Sequence, residues 1–310
     1  MSATGGRSSS LTREYSVLIA RLIADTSTLA DNLDKARRAL ADQGHPVAMA
    51  GPLMSGEDVI ELQLPEGDPA AVRAVLGRCF APSDLLISDQ PIALPHVFVS
   101  DMDSTMIAAE CIDELADFAG IKPQIAAITE RAMQGELDFA QALTERVALL
   151  EGLDEGAIAR CLTERITAMS GARTLVATLK SKGCHTVLVT GGFHQFADPV
   201  AQELGFDRVV ANRLGIHEGK LTGGLVGGIT DSGVKRAVLL EEMARLGNHA
   251  VSLAMGDGAN DIPMLEAATF GIAYYAKPKA RAASDGWIDR GDLTSVLALF
   301  GIPRGEWVWE

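Results

Sequence analysis

The spacing of apolar and polar positions divides this chain into two unlike parts. In the first, Tyr15–Ile23 predicts a strand, Thr28–Gln43 a helix ended by Gly44, and Val47–Met54 a second strand. Val59–Leu64 alternates as a third strand, Pro69–Cys79 repeats as a helix, and Leu85–Ser88 is a last short strand. The βαββαβ order predicts a small α+β module of ferredoxin-like type, followed by a linker at Pro91 and Pro95. In the second part apolar strands begin at Val97, Thr186 and Ala250. Helical patterns lie between them, among them Val234–Leu246 before Gly247. This alternation predicts a Rossmann-like parallel α/β sheet with its site at the carboxyl ends of the strands.

Polar groups stand at those ends. The strand from Val97 runs into Ser100-Asp101-Met102-Asp103-Ser104-Thr105, and side chains two apart on a strand point the same way. Two carboxylates held so close repel each other unless a cation intervenes. The strand from Ala250 ends in Gly256-Asp257-Gly258-Ala259-Asn260-Asp261, where Asp257 and Asp261 add hard oxygen ligands of the kind that suits Mg²⁺. The strand from Thr186 ends in Thr190-Gly191-Gly192, and Lys235 opens a helix. Each has an ordinary alternative: Thr190 a turn residue, Lys235 a solvated helix lysine, Asp261 a charge at a helix start, Asn260 an N-cap with Pro263 in the first turn. Found together in one order at strand ends, they point to cation-dependent chemistry on an anion.

That order resembles the four signature motifs of the haloacid dehalogenase-like phosphohydrolases. Among these it is most similar to the phosphoserine phosphatases, from about residue 95 to about residue 290. The resemblance implies an Mg²⁺-dependent phosphoric monoester hydrolase acting on O-phospho-L-serine, in the last step of serine biosynthesis. Asp101 would be the nucleophile that forms an aspartyl-phosphate, and Asp103 the general acid/base. Asp101, Asp257 and the Asp103 backbone carbonyl would hold the metal, with Asp261 behind them. Lys235, Thr190, Gly191 and Asn260 would surround the phosphate. The residue types alone leave open which of Asp101 and Asp103 attacks. They do say why a cation is needed: at ~4 Å and an effective dielectric of about 20, each like-charge pair costs about 4 kcal/mol.

Between the first two motifs, about 106–172 predicts a mostly helical insertion, or cap. Glu110 falls on the expected helix Met106–Ala119, in an acidic face with Asp113, Glu114 and Asp117. On Asp138–Leu150, Arg146 shares the apolar stripe of Phe139, Leu143 and Leu150. A guanidinium there either pairs with a buried carboxylate or awaits a ligand's carboxylate, which its planar fork can grip. The resemblance implies that Glu110 and Arg146 take the amino and carboxylate groups of phosphoserine. It also places Met133 and Phe139 on the apolar wall; both also read as core, which for Met133 is the favoured reading.

The rest of the composition narrows the class. A net charge of −14 over 310 residues disfavours nucleic acid and anionic membranes. No apolar run is long enough to span a bilayer, and Met1–Ser10 lacks the apolar centre of a signal peptide. Cys79, Cys111, Cys161 and Cys184 show no metal or redox spacing, which suits reduced thiols and a cytoplasmic location. His194 follows the Thr-Gly-Gly turn and reads as structural. The Gly-rich stretch Gly215–Gly228 predicts a hairpin or flap near the cap.

The expected organisation is a tail over 1–12, a module over 13–92, and a phosphatase domain over 93–310. The module resembles ACT-like domains, which implies effector binding or a homodimer. Its loop Ala24-Asp25-Thr26-Ser27-Thr28 has no glycine, so effector binding stays open beside dimerisation and simple support. Rival readings are transfer of the phosphoryl group to homoserine, hydrolysis of another small phosphomonoester, and an amino-acid-binding regulatory protein. The intact set of acids argues against the last.

Overall fold

The computed structural model describes residues 17–53, 58–134, 136–247 and 249–309, with the Met133 side chain left out. The expected tail, and the outer ends of the strands expected at Tyr15 and Met54, lie outside the described residues.

The amino-terminal part runs β1 (Leu18–Ile23), α1 (Leu29–Asp42), β2 (Met49–Pro52), β3 (Val59–Leu64), α2 (Pro69–Cys79) and β4 (Asp84–Ser88). Asp68 starts α2 by accepting the N–H of Ala71 at 2.7 Å, and Pro69 fits the first turn because its missing N–H is not needed there. The strands are antiparallel in the order β2-β3-β1-β4, the ferredoxin-like arrangement. Leu18, Leu22, Leu62 and Leu64 bury one sheet face together with Ala36, Leu40, Val72 and Leu76 of the two helices.

From Val97 the chain continues as β5 (Val97–Ser100), then α3 (Cys111–Phe118), α4 (Lys122–Met133), α5 (Phe139–Ala148) and α6 (Gly156–Arg165) of the cap. Next come α7 (Ala172–Ser181), β6 (His185–Phe193), α8 (His194–Leu204) and β7 (Arg208–Asn212). A hairpin of β8 (Leu214–His217) and β9 (Lys220–Leu225) precedes α9 (Ser232–Leu246), β10 (Ser252–Gly256), α10 (Ile262–Ala267) and β11 (Phe270–Tyr274). The chain closes with α11 (Pro278–Ala283), β12 (Gly286–Ile288) and α12 (Thr294–Leu299).

Strands β12-β11-β10-β5-β6-β7 are parallel, and β5, β10 and β11 are buried along their whole length. From β5 the chain winds to one side through β6 and β7, then crosses back to build β10, β11 and β12 on the other. Such a reversal opens a crevice between β5 and β10, where the carboxyl ends of neighbouring strands diverge.

The two parts share one ten-stranded sheet, because β4 pairs antiparallel with β12. Gly286 is needed at that seam, since a Cβ there would collide with the Leu85 carbonyl. Trp287 lies in the same apolar cluster as Val72 and Leu76, and the Arg281 guanidinium stacks 3.6 Å from its ring centroid. Asp84 is fully buried, and its carboxylate accepts the backbone N–H groups of Asp289, Arg290 and Gly291. No described helix is long and apolar enough to cross a membrane.

The cap departs from expectation at its entry. The helix expected from Met106 begins only at Cys111, and Glu110 is its N-cap with extended backbone. Residues before it run beside the cap's exit instead: Ala108 N–H donates to Thr167 O at 3.0 Å and Met169 N–H to Met106 O at 2.9 Å. Those bonds hold the segment out of the helix, so Glu110 leaves the acidic face, and Glu114 and Asp117 pair with Arg165. The hairpin β8–β9 abuts the end of α5, where Gly152 N–H donates to Leu221 O at 2.9 Å. The Gly-rich stretch is thus a flap against the cap.

Candidate active site

The register of β5 on β10 sets Ser100 opposite Met255, and Asp101 N–H donates to Met255 O at 2.9 Å. The pairing therefore delivers Asp101 and the Gly256–Asp261 turn to one point. At that turn a Cβ on Gly256 would collide with Asp261, so glycine lets the acid fold back under the strand end. Asp261 uses both oxygens. Oδ1 lies 2.6 Å from Lys235 Nζ, while Oδ2 accepts the N–H of Gly258 at 3.0 Å and of Asp257 at 3.2 Å. It is also the N-cap residue of α10, a position that Asn260, in the preceding tight turn, does not take.

Lys235 is the opposite of a solvated lysine. It is 1 % exposed, and Nζ lies 2.7 Å from Asp101 Oδ1 as well as against Asp261. Burial disfavours the ammonium, but Asp101 and Asp261 outweigh it and hold the pKa above the ordinary lysine value. One cation does not balance the acids. Burial and then Asp261 drive Asp101 well above the carboxylate range despite Lys235. Burial, again with Asp261, pushes Asp257 up to about 6. Burial and the charge of Glu110 push Asp103 up to about 7, and its buried Oδ1 has no hydrogen-bond partner among the described residues.

Such a cluster suits a hard divalent cation. Asp101, Asp257 and Asp261 bring carboxylate oxygens within 4.8 Å of one another. Since both Asp261 oxygens are already occupied, Asp101 and Asp257 are the better direct donors, with Asp261 behind them.

A cavity of about 550 Å³ opens above this cluster. The sheet side supplies Asp101, Asp103, Thr190, Gly191, Asp257 and Asn260; the cap supplies Glu110, Phe139 and Arg146. Lys235 lies beneath its floor. Thr190 is buried and accepts the N–H of Gly192 at 2.9 Å. The Phe139 ring closes on Gly191, where an added Cβ would lie 2.9 Å from Cζ. Phe139 is therefore a wall residue; its stripe-mate Leu143, though buried, also lines the cavity, while Leu150 is core. Met133 ends α4, whose Thr129 and Ala132 line the cavity; its own side chain lies outside the described residues.

Glu110 Oε1 accepts the Ser104 hydroxyl at 2.9 Å. Arg146 is half-buried, its Nε donates to Ala142 O at 3.3 Å, and no carboxylate among the described residues comes within ion-pair reach of it. Burial lowers its pKa, against the pull of Asp113 and Glu110. Of the two readings of Arg146, the geometry keeps the open fork.

Sequence reasoning missed Lys277 and Ser232, which also line the cavity. Lys277 N–H donates to Asp257 O at 2.9 Å, and its Nζ lies 3.9 Å from Asp257 Oδ2. Its one signal was Pro278, which starts α11 and makes Lys277 the N-cap. His194 pairs with Asp198 at 2.8 Å outside the cavity lining, and all four cysteines are free thiols.

The family model described as haloacid dehalogenase-like hydrolase matches residues 98–266, more than half of the chain. The chain belongs to the haloacid dehalogenase-like hydrolases. Within them it stands with the phosphoserine phosphatases. A phosphoserine phosphatase of Albidiferax ferrireducens is 45 % identical over 206 residues, 64 % of this chain and 87 % of that one. A crystal structure of a haloacid dehalogenase family hydrolase from Salmonella enterica serovar Typhi superposes with a TM-score of 0.79 at 30 % identity, covering 92 % of this chain and 98 % of that one. A phospho-aspartyl intermediate analogue of phosphoserine phosphatase gives a TM-score of 0.60 at 36 % identity, over 66 % of this hydrolase and 98 % of that structure.

Proposed function

We propose that this hydrolase is a phosphoserine phosphatase, converting O-phospho-L-serine and water to L-serine and phosphate. One observation carries the reading: an acid, Glu110, and an arginine, Arg146, that has no ion-pair partner among the described residues face the Asp101 cluster across a single cavity. A ligand with an ammonium, a carboxylate and a phosphate matches all three stations. Phe139 supplies the apolar wall, and Met133 is assigned there with it.

Asp101, Asp257 and the Asp103 backbone carbonyl would hold Mg²⁺, supported by Asp261. Bound there, the ion supplies charge neutralisation and fixed oxygen geometry. Lys235 holds Asp101 in place and lowers the repulsion that an incoming phosphate meets. Thr190, the Gly191 backbone and Asn260 bind phosphate oxygens. An Asp101 oxygen attacks phosphorus and the serine Oγ–P bond breaks; Asp103 gives its proton to the leaving alkoxide. Asp103 then takes a proton from water as that water attacks the aspartyl-phosphate, releasing phosphate and restoring both acids.

The same reading divides the chain near residue 92, with the module at 13–92 and the cap at 106–172. It places the enzyme in serine biosynthesis in the cytoplasm, with contact between amino-terminal modules as the route to a homodimer. The purified protein is tested with phosphoserine and Mg²⁺, with and without homoserine. Phosphate release without acceptor supports hydrolysis. Transfer only with homoserine favours a phosphotransferase, and inertness with retained serine binding favours a regulatory protein. Activity confined to other esters moves the substrate to another phosphomonoester.

A further inference from the structure

Asn212 ends β7, is 1 % exposed, and stands behind the cavity without lining it. Both ends of its carboxamide are used. Nδ2–H donates to the Gly191 carbonyl at 2.7 Å, and Oδ1 accepts the N–H of Thr230 at 2.8 Å. These partners dictate the amide's orientation, since a carbonyl only accepts and an N–H only donates. Gly191 belongs to the turn that carries Thr190. Thr230 precedes Asp231, the N-cap of α9, and Lys235 follows one turn later.

The need for this side chain lies in the sheet. Val189 pairs with Val210 and Phe193 with Asn212, so three residues of β6 oppose one of β7. That bulge pushes Thr190-Gly191-Gly192 out of the ladder and toward the cavity, leaving backbone groups without strand partners. Asn212 fills the gap. With the Gly191 carbonyl turned to Asn212, the N–H of the same peptide unit points the other way, and Gly192 N–H donates to Thr190 Oγ1 at 2.9 Å. The Thr190 hydroxyl, its oxygen so engaged, has its own O–H left to donate into the cavity.

We propose that Asn212 is a positioning residue for phosphoryl transfer: it braces the β6 bulge so that Thr190 and the glycine backbone face the phosphate, and locks that turn to the loop before Lys235. This rests on the phosphatase reading above. Asn212→Asp keeps the size and the acceptor toward Thr230, but sets a carboxylate oxygen against the Gly191 carbonyl. The value of kcat/KM for phosphoserine should fall about ten- to a hundredfold, the scale of a small misplacement of reacting groups. Inhibition by inorganic phosphate should weaken by a similar factor, because the bulge serves the phosphate and not the amino-acid end.

The deciding comparison is a double-mutant cycle. In a Thr190→Val background, Asn212→Asp should cost less than about threefold, since the group it aims is already gone. Equal cost in both backgrounds, or a folded variant with unchanged phosphate inhibition, overturns the assignment. If Asn212→Asp is not recovered folded, Asn212→Ser, uncharged and too short to span both loops, takes its place in the cycle. Wild-type protein inert toward phosphoserine but active on p-nitrophenyl phosphate would strike the substrate reading alone. The cycle is then read on that second ester.

Discussion

Lys235 is almost fully buried between two carboxylates, so Asp101 and Asp261 share one cation. Asp101→Asn should lower turnover at least about a thousandfold, as loss of a nucleophile does. It should not lower the melting temperature, because burial and Asp261 already disfavour the Asp101 charge, and Lys235 keeps Asp261 as a partner. Activity near wild type in a folded variant would end the covalent mechanism. Arg146 makes a different test, because its fork meets no carboxylate among the described residues. Arg146→Ala should cost phosphoserine about ten- to a hundredfold in kcat/KM, the worth of charged hydrogen bonds. A phosphate ester without a carboxylate should lose far less, and equal losses on both would make Arg146 structural.

At the scale of elements, regular periodicity was legible and local exceptions were not. Val59–Leu64 and Pro69–Cys79 form the strand and helix that their patterns predict, because alternation and a proline start report directly on backbone state. Asp101 and Asp257 were legible because strand ends concentrate polar groups, whereas Lys235, in the first turn of α9, was legible only from its place in the order of motifs. Glu110 was placed on a helix because apolar spacing continues backward through Met106. What stops that helix is pairing with Thr167 and Met169, distant in sequence. Asn212 gave no signal at all, since a bulge in β6 becomes visible only when β7 is laid beside it. The seam between β4 and β12 was hidden for the same reason. Trp287→Ala should destabilise the protein by about 3–5 kcal/mol, the usual cost of emptying a large aromatic site. Denaturant unfolding followed at both parts should show one transition that shifts as a whole. Two transitions, with only one displaced, would separate the parts.

The whole molecule carries a net charge of −14 and gathers several acids at one rim, so its stability should respond to the ion that relieves them. Protein stripped by chelation should be inactive. Restoring Mg²⁺ to about a hundred times its Kd should stabilise the fold by ~2.7 kcal/mol, read as a rise in melting temperature that tracks the return of turnover. Full turnover in excess chelator, or a melting temperature indifferent to Mg²⁺, would contradict the assignment of the acidic cluster.

A front module on a hinge can swivel freely while the chemistry behind it goes undisturbed. Here the front strands are hydrogen-bonded into the same fabric as the catalytic ones, and β12 stands only two places from the strand that ends beside Asp257. Whatever grips the amino-terminal half therefore takes hold of stiff backbone continuous with the reacting rim, and a tug at one border of this sheet is felt at its centre.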